Sequence, residues 1–68
     1  MRAYKVYIEA RDQDGNEIKF IEIAEYPYHS TGLDGCVREE ERESKAISQV
    51  RKRMPYLKNI RAKGSIHV

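Results

Sequence analysis

The sequence predicts a small α+β domain, ββαβ in order, with one helix packed on one face of a three-stranded sheet. Three observations carry that expectation. Tyr4, Val6, Ile8 and Ala10 alternate with Lys5, Tyr7, Glu9 and Arg11, the period of two of a half-buried strand. Near the other end, Ile60, Ala62, Gly64, Ile66 and Val68 alternate with Arg61, Lys63, Ser65 and His67. Between them only residues 38–54, REEERESKAISQVRKRM, combine the length and the composition of a helix.

The first strand runs into Asp12-Gln13-Asp14-Gly15-Asn16, a hairpin signal because Asp and Gly tolerate positive φ. A second apolar run follows over residues 17–25. With Asp14-Gly15 as a two-residue turn, Ile8 pairs with Ile21, Val6 with Ile23 and Tyr4 with Glu25 on the core face, and Tyr7, Ile18 and Phe20 lie outside. A three-residue turn with a Gly bulge instead points Glu22 into the core opposite Val6, at a desolvation cost. The first register is therefore expected. Residues 26–35, YPYHSTGLDG, read as a loop.

In the helix, Glu39, Glu40 and Glu41 suit the positive end of the macrodipole, and Arg51, Lys52 and Arg53 suit the negative end. Asp34 or a neighbouring Ser or Thr is the expected cap, and Pro55 the stop. The apolar stripe is Ala46, Ile47, Val50 and Met54. The acidic first half has no such stripe, so weak attachment is expected there. For the last strand, a right-handed crossover sets it beside the first, in an all-antiparallel sheet of order 2-1-3, with Gly64 as a candidate bulge.

At 68 residues the chain has room for one domain, residues 1–68, and a domain of this size buries only about 60% of its unfolded surface. The single cysteine makes no internal disulfide and points to a reducing, cytoplasmic setting. Neither a signal-peptide pattern nor an apolar membrane span is present, so no membrane partner is expected. Net charge is only +2, but residues 1–35 carry four basic and seven acidic side chains and residues 36–68 nine and four. From Ser44 onward there are seven Lys or Arg and no acid.

That basic run suggests contact with nucleic acid, since rings stack on bases while Lys and Arg neutralise phosphates. The residues nominated are Lys5, Tyr7, Arg11, Phe20, Arg51, Lys52, Arg53, Lys58, Arg61 and Lys63. No RNP-type, KH or zinc-knuckle pattern accompanies them, and the helix dipole alone explains Arg51 to Arg53. The alternative is a protein-contact or homodimer surface formed by Tyr7, Ile18, Phe20, Tyr26 and Tyr28.

Catalysis is not expected. Cys36 with His29 and Ser30 lacks the orienting third group a nucleophile needs, and one Cys with two His does not complete a zinc site. The adjacent glutamates at 39, 40, 41 and 43 point different ways around a helix. The expectation is a non-enzymatic binding or regulatory protein without cofactor, metal or small-molecule substrate.

Overall fold

The computed structural model describes residues 2–26 and 38–68. Three strands, β1 (Arg2–Arg11), β2 (Glu17–Tyr26) and β3 (Lys58–His67), form an antiparallel sheet of order β2-β1-β3, and one helix, α1 (Glu39–Arg53), packs on one face. The fold class and the strand order are those the sequence predicts. Among the described residues, no helix is long and apolar enough to cross a membrane.

The core is the alternating face of β1 closed by the helix stripe. Tyr4, Val6, Ile8 and Ala10 are buried with Ala24 and Tyr26 of β2, Ala46 and Val50 of α1, and Leu57 from the turn before β3. Ile18, Phe20, Ile47, Met54, Ile60 and Ala62 pack around that centre.

The hairpin departs from the expected register. Val6 stands opposite Glu22, Ile8 opposite Phe20 and Ala10 opposite Ile18, one residue away from the two-residue-turn pairing. The turn itself is the reason. The Gly15 N–H donates to the Asp12 carbonyl at 3.1 Å, and the Asp12 N–H donates to the Asn16 carbonyl at 3.0 Å. Gly15 takes φ +85°, the left-handed position of a three-residue hairpin. The Asp12 carboxylate then accepts from the Asp14 and Asn16 N–H groups, both at 2.9 Å. These bonds hold it below the usual carboxylate range, the Asn16 backbone bond foremost.

A one-residue slip exchanges every side chain of β2 between faces. Ile18 and Phe20 therefore pack against the core, and the expectation that they lie on the outer face is wrong. Ile21 and Ile23 are outside instead, 50% and 40% exposed. Glu22 points inward, and the cost of burying it is met by α1. Arg53 donates to both of its carboxylate oxygens, at 2.6 and 2.9 Å, and Gln49 Nε2 donates at 2.8 Å.

β3 also changes phase. Ile60 and Ala62 face the core as expected, but the register shifts where Gly64 (φ +153°) stands opposite Tyr7. Beyond that point Ser65 and His67 lie on the helix side, with the His67 ring edge-on to Tyr4 at 5.0 Å, and Ile66 faces outward. The expected outward His67 and inward Ile66 are thereby exchanged.

The helix starts at Arg38 without a side-chain cap, whereas Asp34 lies outside the described residues. The Glu41 and Arg42 N–H groups both donate to the Arg38 carbonyl. The first half of α1 is not weakly attached. The Arg42 guanidinium lies 4.6 Å from the Tyr4 ring centre and donates to Ser65 Oγ, Lys45 Nζ lies 4.1 Å from that of Tyr26, and the Tyr26 hydroxyl donates to the Glu41 carbonyl. Cation–π and hydrogen-bond contacts do here what an apolar stripe does in the second half.

Candidate interaction face

Among the described residues, no element covers the face of the sheet opposite α1. Its side chains come from the odd-numbered residues of β1 and β2, because the even-numbered ones fill the core. β3 adds Arg61, Lys63 and Ile66. Across the three strands, one row reads Ile23, Lys5, Ile66 and the next Ile21, Tyr7, Gly64. Tyr7, Ile21, Ile23 and Ile66, each 40–51% exposed, thus form one apolar surface with the Lys5 stem crossing it.

Beside Tyr7 the surface is hollow. A Cβ on Gly64 would meet nothing within 4 Å. The hollow is walled by Tyr7, Ile21, Lys19 and Lys63, with Glu9 at its edge. The Glu9 carboxylate sits between two ammonium groups, Lys19 at 4.0 Å and Lys63 at 3.9 Å. Farther along, towards the hairpin, Arg11, Glu17, Asn59 and Arg61 line a polar cleft, and Arg11 donates to the Gly15 carbonyl at 2.9 Å. Asn59 there holds φ +53° at the second register shift of β3, a conformation Asn accepts more readily than most residues.

Charge on this face is unbalanced. Lys5, Arg11, Lys19, Lys58, Arg61 and Lys63 stand against Glu9, Glu17 and Glu25. Apart from Lys5, which crosses the apolar surface, the bases lie on its hairpin side, around Glu9 and Arg11.

Of the residues nominated for nucleic acid, Lys5, Tyr7, Arg11, Lys58, Arg61 and Lys63 are gathered here. Phe20 is not, because the register turns it to the core side. Arg53 is engaged by Glu22, and Arg51 and Lys52 are exposed in the helix layer behind the sheet. Of those nominated for protein contact, Tyr7 is here, Ile18 and Phe20 are on the other side, Tyr26 is buried, and Tyr28 lies outside the described residues. Sequence reasoning missed Ile21, Ile23 and Ile66. A signal for the first two was present: Asp12 at the head of the turn with Gly15 three residues on is the pattern of a three-residue hairpin, and it sets the parity of β2.

Cys36, His29 and Ser30 also lie outside the described residues, and among the described residues no three His, Cys, Asp or Glu side chains come together as metal ligands. The chain matches no family model, no curated protein and no solved structure.

Proposed function

We propose that this chain is a small, non-catalytic cytoplasmic binding protein that contacts an acidic partner protein through the face of its sheet opposite α1. The observation that carries this reading is the apolar surface of Tyr7, Ile21, Ile23 and Ile66, bordered on its hairpin side by a predominantly basic strip. An interface with an apolar centre and charged residues at its border has that anatomy. The bases of the strip then set partner sign and association rate more than affinity.

Nucleic acid is the competing ligand for the same bases, and the side chains at the centre weigh against it. Binding single strands relies on aromatic platforms. With Phe20 turned inward, Tyr7 is the one aromatic ring among the outward residues of the strand pairs, and isoleucines occupy the neighbouring positions. Isoleucine offers a protein surface a contact that it does not offer a phosphate backbone.

Two measurements test the reading. A photo-crosslinking residue placed at Ile21 or Ile66 should capture a defined protein in the native cell, one at Lys52 should not, and Tyr7→Ser should abolish the capture. Titration with labelled single- and double-stranded oligonucleotides at low and moderate salt should show no binding beyond the weak, salt-sensitive kind. Tight oligonucleotide binding that Lys5→Glu or Lys63→Glu removes would transfer the face to nucleic acid.

A further inference from the structure

The two edges of the sheet differ. β3 is broken by register shifts around Gly64 and Asn59, a standard way of blunting an edge. β2 pairs with β1 through ten consecutive residues without a shift or a proline. Among the described residues, its free side is protected over half its length only. In an antiparallel strand the N–H and C=O of one residue point to the same side, and the sides alternate. Gln49 Nε2 donates to the Ile23 carbonyl at 2.9 Å and Lys45 Nζ donates to the Glu25 carbonyl, so the odd-numbered residues of β2 turn their backbone away from β1. That leaves Glu17, Lys19 and Ile21 with backbone groups facing outward and no helix side chain shown bonding to them.

We propose that this free half of β2 pairs with the same segment of a second copy, antiparallel, about a two-fold axis at Ile18. Charge selects the register. Centring on Ile18 sets Glu17 opposite the partner's Lys19 and Lys19 opposite the partner's Glu17. Moving the axis to Lys19 opposes two lysines, and moving it to Glu17 opposes two glutamates. Moving it to Phe20 sets Lys19 opposite the partner's Ile21 and Glu17 opposite the partner's Ile23, with no exchange of charge. Lys19 is available for the exchange, since its side chain is 69% exposed and its contact with Glu9 is long, at 4.0 Å.

The rest of the molecule accommodates the pairing. The helix bonds to β2 between Tyr26, whose hydroxyl donates to the Glu41 carbonyl, and Glu22, which Arg53 holds, clear of the paired segment. On the helix side Ile18 is only partly buried and would meet the partner's Ile18, adding apolar burial to a chain too short for a large core. The two contact faces would lie on the same side of one continuous sheet. The hydrogen bonds of the pairing belong to the edge of β2, while its Glu17–Lys19 contacts lie at the margin of the contact face, so a chain that does not dimerise leaves the contact-face reading standing.

Sedimentation equilibrium across a range of concentrations should show the mass rising from 8.0 kDa to twice that value. Glu17→Lys and Lys19→Glu should each weaken self-association roughly tenfold, and the double exchange should restore it. In a Cys36→Ser background, Ile18→Cys should oxidise to a disulfide-linked dimer, because directly opposed residues of a non-hydrogen-bonded pair have Cα atoms about 4.5 Å apart. A chain that stays at the monomer mass at every concentration overturns the proposal. So does a dimer that survives both single exchanges. A dimer in which a folded Ile18→Cys chain fails to cross-link overturns the register, and should that variant not fold, the charge exchange decides alone.

Discussion

Arg53, in the last turn of α1, holds Glu22 of β2 through both carboxylate oxygens, at 2.6 and 2.9 Å, on the helix-covered side of the sheet. The contact lets a glutamate that is 6% exposed remain ionised. It also gives a side chain that the helix dipole alone would explain a second task, tying the end of the helix to the sheet. The Glu22–Arg53 pair is what makes the observed hairpin register tolerable.

Arg53→Met should therefore cost more than a surface substitution. With only Gln49 left as partner, the buried carboxylate loses most of its compensation, a loss of about 1–3 kcal/mol. Because the Arg53 side chain is 56% exposed, the lower part of that range applies. Glu22→Leu combined with Arg53→Met should recover most of the loss, since an apolar pair needs no compensation. A double-mutant cycle by urea denaturation reads both numbers, and additive single losses would contradict the pairing.

The same contact predicts an acid-side loss of stability. The Arg53 hydrogen bonds lower the Glu22 pKa against the opposing effect of burial, and Gln49 adds to the lowering. A carboxylate depressed in the folded state stabilises it above the unfolded pKa, about 4.3 for Glu, and that contribution disappears as pH falls through the folded value. Unfolding free energy followed downward from pH 6 should fall more steeply in the wild type than in Glu22→Gln. Parallel curves would remove Glu22 from the account.

The hairpin can be tested at two positions. Gly15→Ala places a Cβ where nothing lies within 4 Å, so its cost is conformational, about 1 kcal/mol for a side chain at positive φ. Asp12→Ala removes the acceptor of the Asp14 and Asn16 N–H groups and should cost about 0.5–1.5 kcal/mol. Thermal denaturation checks both. A neutral Gly15→Ala would contradict the left-handed conformation of Gly15.

The register gives opposite predictions for neighbouring residues. Phe20→Ser should destabilise by roughly 2–3 kcal/mol, because Phe20 packs against the core, whereas Ile21→Ser, at a half-exposed site, should stay within about 0.5 kcal/mol. Reversal of that order, measured by chemical denaturation, would restore the alternative pairing.

The core strand was legible because Tyr4, Val6, Ile8 and Ala10 obey one local rule, alternation, which needs no knowledge of a partner. The helix was legible for a similar reason: Ala46 and Val50 recur at helical spacing, between acids at one end and bases at the other. Strand order followed from chain connectivity. Local information of these kinds was sufficient to specify the ββαβ fold.

The contact face was not legible, because its composition depends on two non-local decisions. The side on which Ile21 and Ile23 emerge follows from the hairpin register. The observed register buries Glu22, at a cost that Arg53, thirty-one residues away in sequence, offsets once it folds over the carboxylate. Likewise, the outward turn of Ile66 follows from a register shift at Gly64 that only pairing with Tyr7 reveals. By itself the sequence determined which segments become strands and helix, since propensity and periodicity act within a few residues. The tertiary structure decided which side chains reach solvent, because burial energies depend on partners that only folding brings together.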